Sequence, residues 1–194
     1  MDAAARQIRQ GGLDCVNIGD LMKLAELTHG GFYGHFPSRG ALIAAALDRA
    51  LDQGAAVYAA AEPPKPGGAV KAIVNPYLNA AHRDDPGDGC AIGALSGEVG
   101  RAADPAVRAR MAQGLEDSFE TMAKALGDGP DAADTAVVAW CAMVGAINLA
   151  RVFRGTPRSD QILQLVRRFI LELDARTQDA AVCAAAGDLP IHGG

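Results

Sequence analysis

The sequence lacks the features that mark several classes of protein. Its 194 residues carry a net charge of −5, without the basic excess of proteins that coat nucleic acid non-specifically. No uninterrupted apolar run reaches the roughly 18 residues that cross a bilayer, and no charged start followed by an apolar block marks a signal peptide. The cysteines Cys15, Cys90, Cys141 and Cys183 are widely spaced and form no C-x-x-C pair. We therefore predict a cytoplasmic chain with reduced thiols, no metal, no cofactor and no membrane partner.

The motifs of common enzyme classes are also absent. Ser96 lacks a G-x-S-x-G setting, and the sequence has no P-loop, no G-x-G-x-x-G after a strand and no H-E-x-x-H. The segment from His82 to Cys90 contains His, Asp and Cys, but their spacing matches no standard zinc or calcium pattern. Cys90 would lie near a helix N-terminus, which leaves open a redox-sensitive thiol or a buried, inert one. We predict that the protein is not an enzyme.

The sequence does contain apolar residues at helical spacing along most of its length. Hydrophobic residues make up 49% of the chain, enough to fill a core, and no alternating stretch predicts a strand. The pattern predicts an all-α fold with a proline- and glycine-rich linker near residues 63–68. The predicted helices are Asp2 to Gln10, Ser38 to about Ala61, Val70 to Ala81 with a kink at Pro76, Gly89 to Gly100, Asp104 to Leu126, Asp131 to Phe153 and Thr156 to Thr177.

Residues 18–42 predict a helix-turn-helix. Ile18, Leu21, Met22 and Ala25 fall on one face of a short helix that Asn17 can cap.

A second short helix follows. Thr28 can cap it, while Leu27 and Phe32 are spaced as a hydrophobic staple. This helix must end before Pro37, and Ser38 then caps a longer helix.

This stretch resembles the helix-turn-helix of TetR-type transcriptional regulators. The matching positions are Gly12, Asn17, Ile18, Leu21, Ala25, Thr28, Gly30, Tyr33, His35, Phe36, Ser38 and Leu42. The resemblance implies a three-helix DNA-binding domain at residues 1–45 and a helical ligand-binding and dimerisation domain at 46–177. The tail at 178–194 is rich in alanine and glycine, which predicts a flexible end. The resemblance also implies a homodimer that binds a palindromic double-stranded DNA operator, usually as a repressor, and that a small-molecule effector releases.

Three features depart from that family pattern. Glu26 stands where a glycine is usual, Gly40 replaces an acidic residue, and Met1 falls inside the expected first helix. The alternative function is a helical ligand- or partner-binding dimer with weak or lost DNA binding.

The second helix of the motif is the expected recognition helix, which enters the major groove. Its outward face includes Gly31 and is nearly bare, so base reading falls to His29, Tyr33 and Lys23. The resemblance implies phosphate contacts for Tyr33, His35 and Arg39. Asn17 and Thr28 lie at helix starts, where backbone N–H groups can also face phosphate. The predicted DNA-contacting set is Asn17, Lys23, Thr28, His29, Gly31, Tyr33, His35 and Arg39. Simpler roles remain open, since the helix starts could be caps alone, His29 could be merely solvated and His35 could pack on Phe36.

The second domain supplies candidates for an effector site and for an interface. Apolar and aromatic residues with a few polar groups are typical of a small-molecule site. The predicted effector-binding residues are Tyr77, His82, Leu95, Met111, Phe119, Met122, Trp140, Met143 and Asn148, although such a stripe could equally be core. The last two long helices are apolar on more than one face, which predicts dimerisation through them, although they could also be central core helices of one chain. The predicted interface residues are Val137, Val144, Ile147, Arg151, Ile162, Leu165 and Phe169.

Overall fold

The structure, a computed structural model, describes residues 1–16, 19, 22–23, 34–59 and 68–187. These residues form helices and short 3₁₀ turns, with no strand among them, so the predicted all-α fold class is confirmed. We number the helices of this part of the chain in order. They are α1 (Asp2–Gly11), α2 (Arg39–Ala59), α3 (Ala69–Tyr77), α4 (Ala80–Asp84), α5 (Ala91–Val99), α6 (Pro105–Leu126), α7 (Ala132–Val152) and α8 (Pro157–Gly187), with 3₁₀ turns at Leu13–Cys15 and Pro86–Asp88.

The chain divides into two compact units, each with its own core. The first unit comprises Met1–Ala60 and Ala80–Glu116. In it α1 packs on α2, on α5 and on the 3₁₀ turn Pro86–Asp88. The side chains of Ile8 and Leu47 are fully buried, and Leu95 joins them from α5. Helix α2 begins as predicted, because the Ser38 hydroxyl accepts the backbone N–H of Ala41 at 3.1 Å.

A glycine closes α1 in a backbone conformation that other residues avoid. Gly12 has φ +86° and ψ 176°, a region populated almost only by glycine. A Cβ built on Gly12 would lie 2.6 Å from Oε2 of Glu98. The other oxygen of that carboxylate accepts the backbone N–H of Leu13 at 2.9 Å. The loop after α1 therefore depends on a close approach to α5.

We expect Gly12→Ala to lower the free energy of unfolding by about 2 to 3 kcal/mol, through backbone strain and loss of the Glu98 hydrogen bond. Gly54→Ala is the matched control, because a Cβ at Gly54 in α2 meets no atom within 4 Å. It should raise stability by about 0.5 to 1 kcal/mol. Urea unfolding of both variants measures the difference, and equal effects would contradict the strain argument.

The second unit comprises Ala61–Asn79 and Asp117–Gly194. Helix α7 packs on α8 and α3, and α3 also contacts α8. The hydroxyl of Ser159 donates to the carbonyl of Ala150 at 2.7 Å, which ties the start of α8 to the end of α7. Arg167 of α8 donates to the carbonyl of Leu78 at 2.8 Å, just after α3 ends. Backbone carbonyls at two helix ends are thus satisfied by side chains of α8.

Two helix boundaries differ from the sequence prediction. Pro76 ends a helix rather than kinking one, because α3 stops at Tyr77 and a new helix begins at Ala80. The side-chain amide of Asn79 donates to the carbonyl of Pro76 at 2.9 Å and satisfies the end of α3. Helix α8 continues past the predicted end at Thr177 as far as Gly187. This continuation is rich in alanine, the strongest helix former.

Helix α7 is long and apolar enough, by length and composition, to cross a membrane. The search of the sequence for uninterrupted apolar runs did not identify α7, because polar residues interrupt the apolar runs of this helix. One side of α7 packs inside the second unit, where its buried residues include Ala139, Trp140 and Met143. A core helix of a helical bundle passes the same composition test.

Candidate nucleic-acid interface and effector site

The predicted DNA-contacting residues divide into those that the structure describes and those that it does not. Asn17, Thr28, His29, Gly31 and Tyr33 lie outside the described residues, so their predicted roles stay predictions. The other members of the set, Lys23, His35 and Arg39, are described. Lys23 and His35 are exposed, as a DNA contact requires.

Arg39 already has partners within its own chain. Its guanidinium donates to the carbonyl of Asp14 at 2.8 Å and to that of Leu13 at 3.3 Å. It also pairs with the carboxylate of Asp14 at 3.3 Å. These contacts join the start of α2 to the 3₁₀ turn after α1. Because its side chain is still 40% exposed, Arg39 can support the motif and face a phosphate as well.

A buried arginine anchors α1, the helix that precedes the predicted DNA-binding segment in the chain. Arg9 is 6% exposed, and its Nε donates to the carbonyl of Gly87 at 2.6 Å. Its NH1 donates to the side-chain oxygen of Gln53 at 2.8 Å. Burial lowers the pKa of Arg9 from its usual value, although a guanidinium stays charged in proteins. One side chain therefore joins α1, α2 and the turn at Pro86–Asp88.

A second arginine on α1 forms ion pairs with the same turn. Arg6 pairs with the carboxylate of Asp85 at 3.0 Å and also contacts that of Asp88. The hydrogen bond from Arg6 holds the pKa of Asp85 below its usual value. Sequence reasoning did not find these contacts, because Arg6 and Asp85 are 79 positions apart in the chain.

The predicted effector-binding residues are shared between the two units. In the second unit Tyr77 and Trp140 meet edge to face, with ring centroids 5.3 Å apart. The indole N–H donates to the carbonyl of Ser118 at 2.7 Å. Met122 and Met143 are fully buried in that unit. Phe119 is half-buried, and Asn148 is exposed with its amide on the carbonyl of Val144.

The remaining candidates, His82, Leu95 and Met111, belong to the first unit. Leu95 and Met111 are buried there. The Nε2 atom of His82 accepts the backbone N–H of Cys90 at 3.0 Å, so this nitrogen carries no proton. Cys90 is buried, which favours the inert thiol over the redox-sensitive one. In the described part of the chain, no group of three or more His, Cys, Asp and Glu residues is placed to hold a metal ion.

The predicted interface residues lie at different depths on α7 and α8. Val137, Leu165 and Phe169 are 41, 44 and 48% exposed. Val144, Arg151 and Ile162 are partly exposed. Ile147 has no exposed surface, so it belongs to the core of its own chain and we leave it out of the interface.

Further apolar side chains extend the exposed surface on these helices. Other exposed apolar side chains lie on α7 and at its C-terminal end, namely Val138, Leu149, Val152 and Phe153. We call the exposed apolar residues of α7, of its C-terminal end and of α8 the α7–α8 apolar surface. Its members are Val137, Val138, Leu149, Val152, Phe153, Leu165 and Phe169. An open groove of about 390 Å³ runs along a different set of α8 residues, namely Gln164, Arg167, Arg168, Leu171, Glu172 and Ala175. None of the predicted effector-binding residues lines this groove.

Comparison with known proteins agrees with these features. The family model for bacterial regulatory proteins of the tetR family matches residues 1–46. An uncharacterized HTH-type transcriptional regulator from Mycobacterium tuberculosis is 32% identical over 191 residues, covering 91% of this chain and 95% of that protein. A relative this similar over nearly its whole length shares more than a single motif.

Solved structures of TetR-family transcriptional regulators have the same fold. The protein from Cytophaga hutchinsonii superposes with a TM-score of 0.73 at 20% identity, over 87% of this chain and 90% of that one. The protein from Chloroflexus aurantiacus gives 0.72 at 23% identity, over 88% and 89%. With the family match and the relative from M. tuberculosis, these findings show that the chain belongs to the TetR family of bacterial regulatory proteins and is a transcriptional regulator, not an enzyme.

Proposed function

We propose that the protein is a homodimeric, ligand-responsive repressor. It binds a palindromic operator in the bacterial cytoplasm and leaves it when a small-molecule effector binds. The observation that carries this proposal is the α7–α8 apolar surface of a chain whose first 46 residues match a DNA-binding family. Several exposed apolar side chains on two helices that pack together mark an interaction site, and two copies give a two-fold dimer that matches a palindrome.

The apolar surface supports a second copy of the chain as its occupant. Leu165 and Phe169 lie four positions apart on α8 and therefore share one face. Val137 and Val138 expose two more apolar side chains on α7, the helix that packs against α8. Two such helix pairs can close on each other as a four-helix bundle, which buries all of these side chains at once.

Effector release would follow from a population shift between two conformers of the dimer. A ligand that binds better to a conformer with wrongly spaced recognition helices lowers DNA affinity by its differential affinity. Tyr77 and Trp140 are two effector candidates whose rings meet edge to face. Trp140 is also the only tryptophan in the chain, so its fluorescence reports on the second unit during effector screening, whether it lines the effector site or belongs to the core.

One observation favours the alternative, a helical ligand- or partner-binding dimer without DNA binding. Residues 1–50 hold as many acidic as basic groups, five of each. Several of those basic groups bind carboxylates or carbonyls of the same chain. Arg6, Arg9, Arg39 and Arg49 all do so. Phosphate binding must then compete with, or add to, these internal contacts.

Fluorescence anisotropy separates the two functions. The purified chain is titrated against the DNA flanking its own gene and against a scrambled duplex, at two salt concentrations. A repressor binds the flanking DNA with a preference of about a thousandfold or more, and this ratio persists while both affinities fall with salt. Equal affinity for both duplexes at low salt would support the alternative.

Tyr33 tests the predicted phosphate contact. We expect Tyr33→Ala to weaken operator binding by about tenfold, the scale of one lost backbone contact, with dimerisation and melting temperature nearly unchanged. Tyr33→Phe is the matched variant that keeps the ring and removes the hydroxyl. If Tyr33→Ala lowers melting temperature and affinity together, Tyr33 is a packing residue instead.

A further inference from the structure

An exposed set of ion pairs joins α1 to a turn far along the chain. Arg6 of α1 binds Asp85 at 3.0 Å and also contacts Asp88. The side chains of Arg6 and Asp85 are 40 and 46% exposed. Ion pairs at such exposure add little to the free energy of folding. They do, however, join α1 to residues about 80 positions further along the chain.

Hydrogen bonds and close packing hold the turn itself against α1. The carboxylate of Asp85 accepts the backbone N–H groups of Gly87 and Asp88, at 3.0 and 3.4 Å. Gly87 is packed so closely on α1 that a Cβ there would lie 2.7 Å from Nε2 of Gln10. The carbonyl of Gly87 also receives the buried Arg9. Three successive contacts thus hold α1 along one side of this turn.

We infer that Arg6 with Asp85 and Asp88 forms a latch that fixes the orientation of α1 and so positions the DNA-reading segment that follows it. These are positioning residues, because they act on DNA binding through α1 and need not touch DNA. The inference rests on the proposed function in its DNA-binding step. It predicts that breaking the latch weakens selective DNA binding while the fold persists.

Asp85→Asn removes one of the two ion pairs of the latch, that of Arg6 with Asp85, and changes little else. The side-chain oxygen of asparagine still accepts the N–H groups of the turn, but its charge is gone. Asp84→Asn is the matched control. Asp84 lies beside Asp85, its carboxylate is equally exposed at 46%, and it binds Arg83 on its own segment at 2.8 Å.

The two variants separate the latch from a simple charge effect. Removal of an acidic charge ordinarily strengthens DNA binding slightly, because repulsion of phosphate falls. Asp84→Asn should show this small gain or no change. Asp85→Asn should instead weaken affinity for the flanking DNA by about five- to tenfold, the scale of residues that act on a binding site at a distance. A gain of similar size in both variants would overturn the latch.

Hydrogen exchange of the full chain tests the latch without DNA. Backbone amides of α1, residues 2–11, should exchange several-fold faster in Asp85→Asn than in Asp84→Asn. Equal exchange in α1 would overturn the inference even if the wild type binds DNA. Faster exchange in Asp85→Asn, together with a wild type that shows no DNA preference, would leave the latch as a feature of the fold and reject both the proposed function and the positioning role.

Discussion

Replacing Phe169 with glutamate is expected to convert the protein into a monomer that no longer holds its operator. Phe169 is 48% exposed on α8, beside Leu165, and both would be buried by the second copy of the proposed dimer. Burial of an unpaired carboxylate costs several kcal/mol even after relaxation, and two-fold symmetry places two of them in the interface. The dimer dissociation constant should therefore rise by more than about a thousandfold.

Operator affinity should fall when the dimer dissociates. A monomer binds one half-site only and loses the gain in effective concentration that joins the two halves, so affinity should drop by at least about a hundredfold. Analytical ultracentrifugation measures the mass and anisotropy measures the affinity. The control is Gln164→Glu, which adds the same charge at an exposed position of α8 in the groove and should leave both unchanged. A variant at Phe169 that stays dimeric would place the interface elsewhere.

The sequence predicted the helices well because their apolar spacing and their caps are local signals. Ser38 shows this clearly, since its hydroxyl caps α2 three residues from the N–H that it accepts. The errors fell where a local signal had two outcomes. Pro76 both kinks and ends helices, and the end that it causes depends on Asn79 and on Arg167 from α8. The Arg167 contact comes from another helix, so it cannot be predicted from the proline and its neighbours in the sequence.

The site was less predictable than the fold, for two physical reasons. Helix α7 is apolar around most of its circumference, so periodicity could not separate Ile147, which is buried in its own chain, from Val137, which is exposed. The arginine contacts of α1 join residues far apart in the chain, and a charged residue in a sequence carries no sign of its distant partner. From the sequence, Arg9 is expected to be a surface residue of a short helix, yet its side chain is buried at 6% exposure.

The second large effect is expected for Trp140→Ala, which should lower the free energy of unfolding by about 3 to 5 kcal/mol. Trp140 is 2% exposed, packs edge to face on Tyr77, and donates its indole N–H to the carbonyl of Ser118. Trp140→Phe keeps a ring and removes the donor, so it should cost only about 1 to 2 kcal/mol. Because Trp140 is the only tryptophan, unfolding is followed by far-UV circular dichroism, at one protein concentration for all variants.

The size of this loss also distinguishes two roles for Trp140, namely a packed core residue and a residue that lines the effector site. A packed core side chain leaves a void when it is truncated, and its neighbours lose contacts that they cannot remake. A side chain that lines an open effector cavity has fewer such contacts, so its truncation should cost less than about 1 kcal/mol and should act mainly on effector affinity. A loss near 4 kcal/mol would therefore assign Trp140 to the core, and an effector site would have to be sought among the half-buried candidates, of which Phe119 belongs to the same unit.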